Sequence, residues 1–361
     1  MKRAELIFPR PPALQATAPA EARGLERDEL RLIVSTARGH EHAQFRDLPD
    51  FLAPGDLLVV NESATVAASL PATGSPGNFI LNLSNQYGER LWLAEPRWSN
   101  AEPGPLPLKS GEQIEVAGIP ARLISHYPGL PRLWFIHAEG DLHDAMQRAG
   151  KPIRYGYVTD EYPLDVYQTV FSRVPGSAEM PSAAYPFTQR VVDELCLRGV
   201  EIAAIVLHTG VSSLEVETET VEAHPLFPEA AEVPPATANA VNRALAEGRR
   251  IIAVGTTVVR ALETAWDGEK VRPFKGFTRL YVTPARGVHV VSGLITGLHD
   301  PATSHLAVLY AIAGQQIVLS AYDKAIAEGY LWHEFGDSHL ILTRENRTPV
   351  NFKKERVAMS A

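Results

Sequence analysis

The chain has 361 residues, of which 45% are hydrophobic, with a formal net charge of −8 and a single cysteine. Length and apolar content suffice for one large domain or two ordinary ones with a substantial core. They exclude an internal disulfide framework or cysteine-rich metal site and a span of roughly 20 apolar residues crossing a membrane, and the overall charge is not the basic footprint of a nucleic-acid binder.

The opening segment MKRAELIFPRPPALQ lacks the apolar block and small-residue cleavage site of a secretion signal, so a cytoplasmic location is the default expectation. Short alternating runs fill the first 150 residues: LRLIVST, GDLLVVNES, NFILNLS, RLWLAEP, EQIEVAG, PARLISH and PRLWFIHAEG. Pro- and Gly-bearing turns separate them. They predict antiparallel strands, and six or more such strands predict a barrel or sandwich. The proline-rich stretch at residues 101–111 reads as a loop.

After about Asp141 the texture changes. FTQRVVDELCLRG and PATANAVNRALAEG have helical periodicity, whereas VEIAAIVLH and RRIIAVG are apolar strands, which together predict an α/β unit with partly parallel strands. Cys196 lies in the first helix pattern and is expected to be a buried core thiol. Thr237 is expected to cap the second helix and Gly248 to stop it. Local positive charge comes from KPIRYGY (Lys151, Arg154) and GRRI (Arg249, Arg250).

Chemistry is expected where strands end, because the free N–H groups and positive end of a following helix meet the carboxyl edge of the sheet. The segment IIAVGTTVVRALE is such a junction. Gly255 permits close backbone approach, Thr256 and Thr257 offer hydroxyls, and Arg260 falls on the same helical face. Two readings fit: a cradle for a carboxylate or hydroxyl-rich ligand, or a Thr cap with a surface Arg. A second strand runs into His208, Thr209, Gly210, Ser212, Ser213 and Glu215, where His208 is either a general base or a satisfied core histidine. No Gly-x-Ser-x-Gly elbow, phosphate loop or dinucleotide fingerprint is present. Two clusters, His299, Asp300 and His305, then His333, Glu334, Asp337 and His339, contain metal-ligating residue types, yet their spacings match no metal motif. No metal is expected.

Taken together, RDELRLIV, FRDLPDFLAPGDLLVVNES, VYQTVFSRVPGSAEMPSAAYPFT, LHTG, EGRRIIAVGTTVVRALE, GLITGLHDPATS, the AIAG helix and FGDSHLIL are similar to the S-adenosylmethionine:tRNA ribosyltransferase-isomerase family of queuosine biosynthesis. The blocks lie in the family's order over nearly the whole chain. The resemblance implies an α/β main domain (residues 1–62 and 151–361) with an inserted antiparallel β-barrel domain (residues 63–150). It also implies a reaction in which the ribosyl part of S-adenosylmethionine passes to the aminomethyl group of a 7-deazaguanine base in tRNA. Rearrangement to an epoxycyclopentanediol accompanies loss of adenine and methionine. A sulfonium acidifies its neighbouring C5′ hydrogens, so a positioned base can start this chemistry, with S-adenosylmethionine as cosubstrate and no prosthetic group.

The polar signature segments differ from the family's. Its Gly-Thr pair is replaced by Ser212 and Ser213, its Pro-Thr-Ala-Gly-Leu-His-Phe histidine by Pro186, its Met-His-x-Glu histidine by Phe227, and its Asn and Lys near Thr296 by Gly297 and Ala302. On this reading His208, Glu229 and His299 are the proton-transfer candidates. Ser212, Ser213, Gly255, Thr256, Thr257, Arg260, Thr296 and Asp337 are the substrate-binding candidates, with Arg260 partnering the methionine carboxylate. Three alternatives stay open: a paralogue with a small-molecule acceptor, a non-catalytic nucleoside-binding protein, and a metal hydrolase built on the His–Asp clusters.

Overall fold

A computed structural model describes residues 1–211 and 215–342. The chain opens with short helical turns and an edge hairpin, β1 (Arg31–Thr36) and β2 (Gly39–Gln44), then a single turn α1 (Leu48–Phe51) and β3 (Leu57–Asn61). β3 is buried at every position. Its residues alternate between two cores: Leu57 and Val59 pack into one, Leu58 and Val60 into the other. A strand covered on both faces needs this unbroken apolar run.

A short strand β4 (Ser63–Thr65) then leads into a closed barrel of β5 (Ser69–Gly74), β6 (Gly77–Gln86), β7 (Leu91–Arg97), β8 (Gln113–Val116), β9 (Ile119–Tyr127) and β10 (Leu130–Ala138). The barrel order is β10-β7-β6-β5-β8-β9, with every pairing antiparallel. Phe79, Leu81 and Leu83 of β6 point inward, and Leu106 and Leu108 of the proline-rich loop enter the same core. Helix α2 (Leu142–Ala149) covers the barrel through Leu142, Ala145 and Met146. Of the seven alternating runs, LRLIVST and GDLLVVNES belong to the large sheet rather than to the barrel, and β3 pairs in parallel with both neighbours.

The chain returns through β11 (Val174–Ser177), which pairs with β4, and continues with α3 (Gln189–Leu197), β12 (Glu201–Leu207), β13 (Glu229–Val233), α4 (Pro235–Ala246), β14 (Ile251–Val254), α5 (Thr256–Thr264), β15 (Phe274–Thr278), β16 (Gly293–Gly297), α6 (His305–Ala313), α7 (Gln315–Ala327) and β17 (Ser338–Leu342). The nine-stranded sheet has the order β15-β13-β12-β3-β14-β16-β17-β1-β2. At its centre β12, β3, β14 and β16 run parallel. Helices α4 to α7 cover one face and α1 and α3 the other. Among the described residues no single helix is long and apolar enough to cross a membrane.

Two expectations are corrected. Cys196 is exposed, because Val191 and Leu195 form the inward stripe of α3 and the next residue turns about 100° away from it. Thr237 is not the cap of α4: Pro234 is, Pro235 starts the helix, and the Thr237 hydroxyl donates to the Ala204 carbonyl at 2.5 Å. Proline's fixed φ and missing N–H suit the first helical turn. Gly248 does follow the helix end in the left-handed region, at φ 69°.

Candidate functional site

The carboxyl edge of the parallel strands opens on a cavity of about 270 Å³, near the lower end of the roughly 300–1,000 Å³ of small-molecule sites. Its wall includes the starts of α5 and α6, the loop after β16, residues 179–183, and residues 224–229 leading into β13. Gly255 lets the chain turn from β14 into α5. It adopts φ 95°, and a Cβ there would sit 3.3 Å from Ala183 and 3.2 Å from the Thr257 hydroxyl. No side chain caps α5, so its first N–H groups are left for a ligand beside Thr256 and Thr257.

Glu229 lies almost wholly buried at the start of β13, where Oε1 accepts from the Gly210 N–H at 3.0 Å and Oε2 accepts from Arg260 Nη1. Arg260 also donates from Nε to the Leu280 carbonyl at 3.2 Å, leaving a buried Nη2 without a partner among the described residues. The two N–H donors of Nη2 are thus available to an anion in the cavity. Elsewhere in the same lining, Thr296 Oγ1 and His299 Nε2 lie 2.8 Å apart, and the His299 ring stacks on His305 at 4.7 Å with 9° between planes. Burial, then the neighbouring His305, holds His299 well below the usual histidine range, and burial takes His305 down to about 4. The cavity therefore presents neutral imidazoles.

The structure brings Glu229, Gly255, Thr256, Thr257, Arg260, Thr296 and His299 into this one wall. Ser212 and Ser213 lie outside the described residues. His208 and Asp337 are elsewhere. The His208 ring packs against Gly176, and its Nδ1 lies 2.7 Å from Ser63 Oγ, which in turn is 2.6 Å from Ser177 Oγ. Both residues follow the end of β12, and of the two Thr209 reaches the cavity while His208 does not. Asp337 ties the sheet to the N-terminal segment. Its carboxylate accepts from the backbone N–H of Arg31 and of Leu331, both at 2.8 Å, and from the Arg31 guanidinium at 2.9 Å. Asp337→Ala is expected to lower unfolding stability by roughly 2–3 kcal/mol, as for lost hydrogen bonds to a charge. The dissociation constant for S-adenosylmethionine, measured on the folded fraction, should not move.

The two His–Asp clusters are not gathered for a metal. Among the described residues no group of three or more His, Cys, Asp or Glu could hold one. Asp300 instead pairs with His333 Nε2 at 2.5 Å and with Arg10 at 2.6 Å. His339 is fixed in the core by Ser35 at 2.7 Å and is pushed down to about 3 by burial. His299, His305 and His339 stay neutral in the fold while an unfolded chain protonates them near their ordinary 6.5. Their stabilising contribution is complete above that value and is lost as pH falls toward 4. Glu334, raised to about 8 by burial and Glu179, works in the opposite sense, but it is one group against three. The urea midpoint should therefore be lower at pH 5 than at pH 7; equal midpoints would mean that these imidazoles are not buried neutral.

Tyr157, Glu179, His224 and Tyr281 also line the cavity, and none was singled out from the sequence; Glu334, read there only as a member of a metal-type cluster, lines it too. The Tyr281 hydroxyl donates to the His224 carbonyl at 2.7 Å, while Tyr87 and Tyr127 from the barrel donate to the carbonyls of Pro228 and Leu226 at 2.8 and 3.0 Å. The barrel thus pins the segment that carries Phe227 into the wall. A larger cleft of about 1000 Å³ lies between the barrel, α2 and residues 151–168. The basic residues read from the sequence are engaged: Lys151 pairs with Glu161 at 2.8 Å, Arg249 with Glu201 at 3.1 Å, and Arg250 with Asp56, while Arg154 donates to the Val158 carbonyl at 3.0 Å.

Fold and cavity together define an α/β protein with a polar-lined cavity at the carboxyl edge of its sheet and a barrel set beside it. The family model for "Queuosine biosynthesis protein" matches residues 4–341, and the chain belongs to that family. It is 37% identical over 325 residues to the S-adenosylmethionine:tRNA ribosyltransferase-isomerase of Thermus thermophilus, covering 88% of this chain and 93% of that protein. The protein of that name from Moorella thermoacetica is 36% identical over 354 residues, covering 95% and 100%. The crystal structure of the S-adenosylmethionine tRNA ribosyltransferase from Thermotoga maritima is 26% identical, covers 94% of this chain and 100% of its own, and superposes with a TM-score of 0.53.

Proposed function

We propose that this chain is an S-adenosylmethionine-dependent ribosyltransferase-isomerase acting on a 7-deazaguanine base in tRNA, with S-adenosylmethionine bound in the cavity at the start of α5. The observation that carries the proposal is the joint wall of Thr256, Thr257, Arg260, Glu229, Thr296 and His299. Arg260 Nη2 suits the methionyl carboxylate, since a guanidinium donates best to a charged planar acceptor. Hydroxyls and uncapped N–H groups at α5 suit the ribose and the departing groups, because donors already oriented need no reorganisation as charge develops. Thr296 orients His299, whose neutral ring can accept a proton near neutral pH. Glu229, held by Arg260 and Gly210, serves this reading as the group that positions Arg260.

Incubating the purified protein with S-adenosylmethionine and tRNA bearing the aminomethyl base should release adenine and methionine. Release with a free base but not with tRNA would reassign the acceptor to a small molecule. Binding of S-adenosylmethionine without release under either condition would leave a nucleoside-binding protein.

A further inference from the structure

Glu334 and Glu179 belong to the same cavity wall as the residues above, and the mechanism so far uses neither. Glu334 Oε1 is buried and has no hydrogen-bond partner among the described residues, a costly state for a carboxylate unless a ligand supplies the donor. Glu179 is fixed from its other side, where the Tyr155 hydroxyl donates to its Oε1. The groups facing Glu334 are Glu179 after β11, and Tyr157 and Tyr167 on the segment 151–168, which feel its charge. Its sequence neighbour His333 is spoken for by Asp300 at 2.5 Å. Among the described residues no Lys or Arg forms an ion pair with Glu334, so the cavity wall carries two carboxyl groups and, at Glu334 Oε1, an acceptor without a donor.

We propose that Glu334, backed by Glu179, is the subsite for an aliphatic ammonium group of a reactant. The assignment rests on the function proposed above, whose reactants carry two such groups: the aminomethyl group of the acceptor base and the α-ammonium of S-adenosylmethionine. A cation between the two carboxyl groups relieves their repulsion and supplies the missing donor. With the acceptor's ammonium in place, the Glu334 carboxylate also takes its proton: an N–H bond breaks, an O–H bond forms, and the nitrogen keeps the electron pair as a free, nucleophilic amine. Burial and the neighbouring Glu179 hold Glu334 at about 8, so the carboxylate form that receives a cation is the one present above that pH.

The test compares wild type with Glu334→Gln, which keeps shape and removes charge, and with Glu179→Gln. Dissociation constants are measured for S-adenosylmethionine and for tRNA bearing the aminomethyl base, and kcat/KM is followed against pH. Glu334→Gln should weaken one of the two ligands by about tenfold or more, the scale of a lost hydrogen bond to a charged group. Weakening confined to the tRNA assigns the ammonium to the acceptor, and weakening confined to S-adenosylmethionine assigns it to the methionyl end. The wild-type rise in kcat/KM near pH 8 should vanish in Glu334→Gln and move to lower pH in Glu179→Gln, a shift that a purely structural role would not produce. Unchanged affinity for both ligands overturns the subsite. Wild-type protein that binds both yet releases no adenine strikes the catalytic reading instead, and the binding constants still decide the subsite.

Discussion

Arg260→Ala is expected to reduce unfolding stability by about 3–5 kcal/mol, the range for removing one partner of a buried ion pair. Glu229 and Arg260 are both largely buried, with side-chain exposures of 3% and 14%. Without Arg260, Glu229 keeps, among the described residues, the Gly210 N–H. The same substitution should weaken S-adenosylmethionine by roughly 1.5–3 kcal/mol if Nη2 meets the methionyl carboxylate. Because an unfolded fraction also weakens apparent binding, the two effects need separating. The double variant Arg260→Met with Glu229→Gln removes both charges at similar volume and should recover most of the stability. Its affinity should stay low. Recovery of both stability and affinity would show that Arg260 organises the wall without touching the ligand.

How much of this was legible depends on whether the signal was local. β3, β6, β12 and β14 announce themselves because burial on one or both faces dictates a period of two or an unbroken apolar run. β2, GHEHAQ, carries no such signal: it is the edge of the sheet and mostly solvated. β5, SLPATG, is broken by Pro71, which stands just before Ala72 and Thr73, the residues that pair with β8. The β14–α5 junction was legible for the same local reason, since a glycine and two threonines between an apolar strand and an amphipathic helix can be read from thirteen consecutive residues. His208 was not, because of two polar neighbours at a strand end only one reaches the cavity, and the sequence does not state which. Glu334 was visible only as a member of a histidine-rich cluster. Its present role depends on Glu179, 155 positions away, and no periodicity links them.

Gly210→Ala is expected to disturb the site more than any other single methyl group added to it. A Cβ at Gly210 would lie 2.2 Å from Asn85 Oδ1, 2.4 Å from Ser84 Oγ and 2.6 Å from the Phe227 ring. All three side chains are buried, so none can swing into solvent. Ser84 Oγ already accepts from the Val211 N–H at 2.9 Å and donates to Asn85 Oδ1 at 3.0 Å, and both bonds must break if it moves. Overpacking of this kind costs roughly 1–3 kcal/mol. The loss of function should exceed what that cost predicts, because Gly210 N–H holds Glu229, Glu229 holds Arg260, and Phe227 is itself part of the cavity wall. Gly297→Ala provides the contrast, since nothing lies within 4 Å of its added Cβ, and it should leave the unfolding midpoint in place. Release of adenine from S-adenosylmethionine, measured beside urea unfolding for both variants, checks the argument. If Gly210→Ala keeps wild-type turnover, the contact between barrel and sheet does not set the geometry of the cavity.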